Sequence, residues 1–286
     1  MPTLKEIKGR ISSVKSTLKI TSAMKLVSSA KLRKAQKAIE AMRPYEEQLQ
    51  RMLLMVQGAP AAECGELSAS SLPQAIVAIA SNSSLCGGFN ANAIAKVRSV
   101  RREGDVVYSI GRKMADAMRK EGFSSPEDYS HLAEHPAYAP AADLVEKLCA
   151  DVDAGRFERV LLVYNHFVST AKQTPVAEEI YFSRELAKNE IPSSSSDDEE
   201  EVEDVIIEPS RGDLVASLEP KILKLKLYAA LLDSSAAEHA ARTVAMQTAT
   251  DNGENLLSEL TLQYNKGRQQ KITSEILDLA GGQAQE

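Results

Sequence analysis

The segment of this sequence that looks most like a chemical site lies at residues 83–90, which read Ser-Ser-Leu-Cys-Gly-Gly-Phe-Asn. It follows an apolar run and precedes a helical pattern, the position at which phosphate-binding loops occur in α/β enzymes. It matches neither G-x-x-x-x-G-K-[ST] nor G-x-G-x-x-G, and no Lys follows its glycines to meet a phosphate. We therefore predict a tight strand-to-helix turn in which Asn90 caps the helix and Cys86 is a small buried residue.

Residue types that serve as bases, metal ligands or redox pairs are present, but they are not spaced for those roles. No motif links Cys86 to any of the four histidines, which are His131, His135, His166 and His239. The three cysteines, Cys64, Cys86 and Cys149, are widely separated and include no C-x-x-C pair, a usage that fits a reducing compartment. The sequence therefore predicts no catalytic residue, no metal site and no cofactor.

The acidic residues are interpreted as surface groups. Glu46 with Glu47 and Glu178 with Glu179 are adjacent pairs whose side chains point to different faces, so a shared catalytic role is not expected. The run 197–204 is almost wholly acidic but lacks the glycine-anchored spacing of a calcium loop. Together with Pro192 and the serines after it, this run predicts a mobile, solvated loop over 192–204.

Two long helical patterns lie at the ends of the chain. In the first, apolar residues alternate in steps of three and four, on Leu4, Ile7, Ile11, Val14 and Leu18 and again on Leu32, Ala35, Ile39, Met42, Leu49, Leu53 and Val56. This heptad pattern predicts a helix over about 3–57 with a bend near Pro44. The second pattern runs from about 212 to 279, with a helix restart at Pro220, on Leu214, Leu218, Leu225, Leu231, Val244, Leu256, Leu260, Ile272, Ile276 and Leu279.

The first helical pattern is locally polar in its middle, where the register falls on Thr21, Lys25 and Ser28. We expect something other than a simple apolar partner to face this stretch. A single helix is too narrow to bury its own apolar stripe. The first helix is therefore expected to pair antiparallel with the last.

The middle of the chain alternates short apolar runs with helical segments. Strands are predicted at 75–81, 105–110, 159–164 and 176–182, with one more at 205–207, and helices near 91–102, 112–121 and 141–154. This alternation favours an α/β layer with a largely parallel sheet. The predicted fold class is thus an α/β domain over 72–208, containing the acidic loop, inserted into an antiparallel coiled-coil shaft of residues 1–57 and 212–286.

Charge and hydropathy argue against two classes of partner. The net charge is −6, although Lys and Arg outnumber acids in the first helical pattern. These cations lie between apolar helix positions without aromatic residues for base stacking, so no nucleic-acid partner is expected. No segment approaches the length of an apolar membrane span, and no secretory signal is apparent, so the chain itself is not expected to cross a bilayer.

Segments at both ends of the chain resemble the gamma subunit of the F-type ATP synthase, in its bacterial form. They are residues 20–36 (ITSAMKLVSSAKLRKAQ), 240–246 (AARTVAM), 249–252 (ATDN), 260–269 (LTLQYNKGRQ) and 272–282 (ITSEILDLAGG), and the Leu-Cys-Gly-Gly-Phe-Asn turn is similar too. Because these motifs occur at both termini and at the first strand of the insert, in the same order, the resemblance extends over almost the whole chain.

The resemblance implies a central rotor shaft that is not itself catalytic, because catalysis in that family belongs to the beta subunit. The terminal helices would lie inside the ring of alpha and beta subunits, and the α/β domain against the epsilon subunit and the membrane c-ring. The complex would be a proton-translocating ATP synthase at the cytoplasmic face of the bacterial inner membrane, with this chain peripheral and joined to the membrane through its partners. Sodium as the coupling ion, and the direction of the reaction, stay open.

The resemblance also implies a set of partner-contact residues. By motif, Met24 and Lys25 match the contact with the moving loop of beta. The contact with the upper catch loop is matched by Arg268, Gln269 and Thr273, and Glu208 matches the region near the rotor ring. For Met24 the alternative is coiled-coil packing, and for Arg268 a solvated helix position.

Three features depart from the family pattern: Gly267 stands where Ala is commoner, the last residues are not apolar, and the Ser-rich acidic run is distinctive. No counterpart exists to the regulatory cysteine pair of the chloroplast form. Two other functions remain compatible with the residues, a coiled-coil adaptor or scaffold with an α/β head, and a nucleotide-dependent enzyme that uses the Cys86 turn.

Overall fold

A computed structural model describes residues 3–57, 72–123, 125–182 and 210–282. The predicted strand at 205–207, the loop at 192–204 and Glu208 lie outside the described residues. The elements are α1 (Leu4–Gln57), β1 (Ala75–Ile79), α2 (Phe89–Val100), β2 (Val106–Ile110), α3 (Arg112–Lys120), α4 (Ser130–Glu134), α5 (Tyr138–Asp153), β3 (Arg159–Phe167), β4 (Gln173–Phe182) and α6 (Arg211–Gly282). They fall into two compact units, Met1–Ser29 with Arg242–Glu286, and Ala30–Ala241.

Helix α1 has 54 residues and begins at a capping box. The backbone N–H of Thr3 donates to Glu6 Oε2 at 2.9 Å, and the backbone N–H of Glu6 donates to Thr3 Oγ1 at 3.3 Å. The helix continues through Pro44, and the predicted bend there stays a prediction. The predicted heptad seam is confirmed, since its members are buried or half-buried and most residues between them are exposed.

Helix α6 is continuous over 72 residues, so the predicted helix restart at Pro220 is wrong. Proline removes one backbone hydrogen bond, but neighbouring side chains hold the helix in place. Leu218 and Leu225, on either side of Pro220, are buried in a cluster with Leu49 of α1. In the described part of the chain, no helix contains a stretch long and apolar enough to cross a membrane.

The seam predicted for the end of α6 is also partly wrong. Val244, Leu256, Ile272 and Ile276 are between 41% and 59% exposed. The less exposed positions instead follow a heptad that contains small and polar residues: Met246, Thr250, Gly253, Leu257, Leu260, Tyr264 and Gly267. A search for apolar residues overlooks threonine and glycine, and that is why the sequence indicated the wrong face.

The sheet has the strand order β2-β1-β3-β4. Strand β1 pairs in parallel with β2 and β3, and β4 pairs antiparallel with β3, which confirms the largely parallel sheet. The short helix α4 was not predicted, because five residues are too few to show helical periodicity.

Strand β1 is buried on both faces, as its unbroken apolar run indicates. Ala75, Val77 and Ile79 pack in a cluster with α5 and with α6, which contributes Leu227 and Leu231. Residues on the opposite face pack against α2 and α3. Within the unit Ala30–Ala241, the α/β sheet and helix α6 therefore share one hydrophobic core.

Candidate functional site

The turn after β1, the strongest chemical candidate in the sequence, is held together by Asn90. Its Oδ1 accepts hydrogen bonds from the backbone N–H of Ser81 at 3.0 Å and from Ser81 Oγ at 2.9 Å. The helix cap is Gly88, so the prediction that Asn90 caps α2 is wrong. The helix begins at Phe89, so Asn90 lies inside its first turn. There its side chain accepts hydrogen bonds from Ser81, just beyond the end of β1, instead of capping the helix.

Cys86 is 2% exposed, which confirms the prediction of a small buried residue. Asn90 Nδ2 donates to its sulphur at 3.2 Å, and the other described hydrogen-bond partners of the sulphur are Ser81 Oγ and the Ser83 carbonyl. None of these groups is a base strong enough to remove a thiol proton. The arrangement is that of a packed side chain rather than of a nucleophile.

Open α/β sheets usually bind ligands beyond the carboxyl ends of their strands, at the point where the strand order reverses. In this sheet that point lies between β1 and β3. Here small residues of α6 fill that position. Ala237 and Ala241 pack with Cys86, Phe89 and Phe167. A helix with alanines on this face approaches the strand ends closely, so it occupies the crevice in which a nucleotide would lie.

Asp233 of α6 attaches that helix to the end of β3. Its Oδ1 accepts a hydrogen bond from the backbone N–H of Phe167 at 3.1 Å, and its Oδ2 lies 2.5 Å from His166 Nδ1. Burial raises the pKa of the Asp233 carboxyl above its ordinary value, and the two hydrogen bonds partly oppose that rise. Sequence reasoning missed Asp233, because a single aspartate in a helical pattern gives no signal of a contact this distant along the chain.

A cleft of about 400 Å³ lies beside Asp233 and carries charged groups from α1, β4 and α6. Glu178 pairs with Lys226 at 3.8 Å and accepts a hydrogen bond from the Tyr164 hydroxyl at 3.2 Å. Burial raises the pKa of the Glu46 carboxyl. In the described ranges, no group of three or more His, Cys, Asp or Glu residues is placed to hold a metal ion.

The interpretation of the paired acids as merely solvated is wrong for Glu178 and Glu179. Both lie on β4, where Glu179 binds Arg159 at 3.1 Å and its backbone carbonyl accepts a hydrogen bond from Lys226 at 3.3 Å. Adjacent residues of a strand point to opposite faces, so each acid meets a different cation. Both acids therefore have a structural role.

Within the unit that contains both chain ends, the polar stretch of α1 is matched by a polar residue of α6. Thr21 is 8% exposed, and its hydroxyl accepts a hydrogen bond from Thr250 Oγ1 at 2.9 Å. The expectation that something other than a simple apolar partner faces this stretch is confirmed at Thr21, because a threonine of the chain's own α6 faces it. Met24 and Lys25, the predicted contacts in this stretch, are half-buried.

Exposed apolar side chains surround Met24. Ile20 is 59% exposed, Leu26 70% and Val27 57%, and Ile20 and Val27 share a helix face with Met24 because they are spaced at four and three residues. Sequence reasoning did not single out these residues. Their signal was present in the sequence as apolar positions outside the heptad register.

The predicted contacts on α6 are solvent-exposed. Thr273 Oγ1 donates to the Gln269 carbonyl at 2.9 Å, and both residues line a shallow groove with Leu277, while Arg268 lies beside it on the helix. Because Thr21 faces Thr250, Met24 lies at the level of the α6 residues next to Thr250. At about 1.5 Å per residue, the predicted contacts on α6 are roughly 30 Å further along the helix axis. The structure thus places the predicted contacts at two separate levels. Glu208 is outside the described residues.

The chain matches the family model described as ATP synthase over residues 3–284. It is 45% identical over 291 residues to the ATP synthase gamma chain of Phocaeicola vulgatus, covering 99% of both chains. It is 44% identical over 300 residues to that of Bacteroides thetaiotaomicron, covering 100% of both. The chain belongs to the ATP synthase gamma-chain family. A gamma chain is the non-catalytic rotor subunit of the central stalk, as the sequence motifs predicted.

Solved structures share the fold at lower identity. A chain in a cryo-EM structure of the Euglena gracilis mitochondrial ATP synthase (OSCP/F1/c-ring, rotational state 3) is similar with a TM-score of 0.71 and 20% identity, over 98% of this chain and 93% of that one. A chain of the Tetrahymena thermophila central stalk and c-ring structure gives a TM-score of 0.58 at 22% identity, over 80% of this chain and 99% of that one. The predicted fold class, long terminal helices with an inserted α/β layer, is confirmed.

Proposed function

We propose that this gamma-family chain transmits rotation from a membrane c-ring to the catalytic alpha and beta subunits, with the epsilon subunit bound to its α/β domain. The complex is proposed to be the proton-translocating ATP synthase, on the cytoplasmic face of the bacterial inner membrane. The chain reaches that membrane through its partners. The observation that carries the proposal is the match to gamma chains along the whole sequence, on helices of 54 and 72 residues.

The lengths of the two terminal helices support the proposed role. At 1.5 Å per residue, α6 extends for about 110 Å, several times the length of an ordinary globular helix. Its beginning is held in the core of the α/β unit by Leu227 and Leu231. A force applied to the α/β domain is therefore passed directly to the helix.

We propose that Met24, Lys25, Arg268, Gln269, Thr273 and Glu208 contact partner subunits. The exposed Ile20, Leu26 and Val27 support this for the level of Met24, because apolar side chains left in water on one helix segment are typical of an interaction surface. The groove of Gln269 and Thr273 supports it for the upper level. A ring of subunits around the helix pair would cover both levels.

The central test is reconstitution in membrane vesicles. We expect the isolated chain to hydrolyse no ATP, and vesicles that contain all subunits to make ATP only when this chain is present. Undiminished synthesis without it would refute the rotor role. Co-purification of the tagged chain without alpha and beta subunits would instead favour an adaptor.

A substitution at Met24 tests the proposed contact level. Met24→Lys is expected to lower proton pumping per ATP hydrolysed several-fold while leaving the melting temperature nearly unchanged. The new cation would lie at the proposed contact with the moving loop of beta, and an ion pair with an acidic residue of that loop would hold one rotational state. Ala23→Lys is the matched control, since it adds the same charge at the neighbouring exposed position. A Met24→Lys complex that melts much lower but pumps normally would show that Met24 is packing only.

A further inference from the structure

Two glycines of α6 receive two leucines of α1 in the unit formed by the chain ends. A Cβ placed on Gly253 would lie 2.7 Å from Leu18 Cδ2 and 3.3 Å from its Cγ, and one placed on Gly267 would lie 3.2 Å from Leu4 Cδ2. Each glycine therefore leaves a notch in the surface of α6 that a leucine side chain fills. Gly9, in the same unit, has nothing within 4 Å of such a Cβ.

The two notches have the same spacing as the leucines that enter them. Leu4 and Leu18 are two heptads apart on α1, and Gly253 and Gly267 are two heptads apart on α6. The Thr21–Thr250 hydrogen bond falls in the same alignment, because the residue numbers of each of these three pairs add to 271. Three independent contacts thus define one antiparallel register.

The residues between the notches are bulky on both helices. In this register Ile7 lies opposite Tyr264 and Ile11 opposite Leu260, so bulky side chains face bulky ones, while leucines face glycines. Ile7 and Leu260 are each only 6% exposed. The observed register therefore combines ordinary contacts between large side chains with two positions at which a leucine faces a glycine.

We propose that the pairs Leu4–Gly267, Leu18–Gly253 and Thr21–Thr250 form a register lock that admits a single axial alignment of α1 and α6. A shift of one heptad in one direction would place Leu18 opposite Leu260 and Thr21 opposite Leu257, which removes the hydroxyl partner of Thr21. In the other direction, Leu18 would face Met246 and Leu4 would face Leu260. Either shift takes both leucines out of their notches, so that Leu18 meets a large side chain, Leu260 or Met246, in place of Gly253.

The lock has a mechanical consequence that rests on the proposed rotor function. If two helices can slide along each other, part of an applied torque is lost as axial movement between them. Two helices held in one register turn together. The glycines are therefore positioning residues for rotation, although they cost helix propensity. The lock also gives Gly267 a role within a helix interior, where glycine costs helix propensity.

The register can be measured on the full chain by cysteine cross-linking. The double variant Val14→Cys/Leu257→Cys places cysteines opposite each other in the observed register, whereas Val14→Cys/Tyr264→Cys does so only after a one-heptad shift. We expect the first pair to cross-link at least about tenfold more under mild oxidation, the ratio that corresponds to about 1.4 kcal/mol between registers. Peptide mapping by mass spectrometry separates these products from any formed by Cys64, Cys86 or Cys149. Equal yields would overturn the lock.

Filling a notch should weaken this preference. Gly253→Leu is expected to reduce the first cross-link, and Leu18→Ala/Gly253→Leu to restore it, because the swap moves the bulk from one helix to the other. Gly9→Leu is the matched control and should leave the cross-link unchanged. A Gly253→Leu chain that cross-links like Gly9→Leu would refute the proposal, as would a swap that restores nothing.

A milder pair of variants covers the case in which Gly253→Leu does not fold. Gly9→Ala is expected to raise the melting temperature by about 2–4 °C, since alanine favours the helix and meets no neighbour. Gly253→Ala should give no rise, because the new methyl group overlaps Leu18. An equal rise in both would show that the notch has no steric role. None of these measurements depends on ATP synthesis, so their failure would leave the rotor assignment intact.

Discussion

Replacement of Gly111 by alanine is expected to be one of the most damaging small substitutions in the α/β unit. Gly111 joins β2 to α3 with a φ of +104°. A Cβ at this position would lie 2.1 Å from the carbonyl oxygen of Ala80 and 2.8 Å from its carbonyl carbon. Both are backbone atoms, so no side chain can rotate away to make room.

The cost follows from the contacts that would have to separate. Positive φ costs a non-glycine residue roughly 1–2 kcal/mol. The Ala80 N–H donates to the Ile110 carbonyl at 2.8 Å, and the Lys113 N–H donates to the Ser81 carbonyl at 3.1 Å. Moving β1 away from Gly111 breaks these bonds, each worth about 1 kcal/mol. We expect Gly111→Ala to lose about 3–4 kcal/mol of unfolding free energy in total.

Gly104 provides the matched control. It also has a positive φ, +90°, but nothing lies within 4 Å of an added Cβ. Gly104→Ala should therefore lose only the conformational cost of roughly 1–2 kcal/mol. Urea unfolding of the full chain, with hydrogen exchange at the β1 and β2 amides, measures both variants. Equal losses would show that the close approach to Ala80 does not control stability.

Three further predictions concern single side chains. Burial raises the pKa of the Asp233 carboxyl, so the stability that this group contributes is fully present below its unfolded pKa of about 3.9 and is lost as pH rises through the folded pKa. The wild type should therefore lose stability relative to Asp233→Asn as pH rises through that window. Urea midpoints that change in parallel with pH for the two proteins would contradict this. Leu227→Ala should lower the free energy of unfolding by about 2–5 kcal/mol, because Leu227 is fully buried. Leu262→Ala, at a 70% exposed position, should lower it by less than about 0.5 kcal/mol. Similar melting temperatures for the two variants would place Leu227 outside the core. Asn90→Ala should cost about 1–3 kcal/mol and speed hydrogen exchange at the end of β1, because a buried amide loses its acceptor; unchanged exchange would refute the role of Asn90.

The helices were predictable from the sequence because their signals are local. The heptad of α1 repeats every three or four residues, and the structure buries or half-buries its members. The capping box of Thr3 and Glu6 is equally local, although it was not predicted. The face of α6 was less predictable. Gly253 and Gly267 become seam residues only because Leu18 and Leu4 fill the space beside them, and no window of α6 alone contains that information.

The candidate site shows the same division. Family motifs pointed to Met24, Lys25, Arg268, Gln269 and Thr273, and their roles stay predictions because partner subunits decide them. The anchor at Asp233 joins residues more than sixty positions apart, so no local pattern could indicate it. The wrong assignment of Asn90 as a cap arose because its acceptor role depends on Ser81, which belongs to the end of the preceding strand.

By itself, the sequence determined that two long helices frame an α/β layer and that the chain is a gamma-family rotor subunit, because periodicity and motifs are properties of consecutive residues. Only the tertiary structure decided that β4 runs antiparallel at the edge of the sheet, that Pro220 lies within one continuous helix, and that small residues of α6 fill the crevice where other α/β proteins bind ligands. The physical reason is that hydrogen-bond periodicity is intrinsic to each segment, whereas burial depends on the shape of the surface that a segment meets.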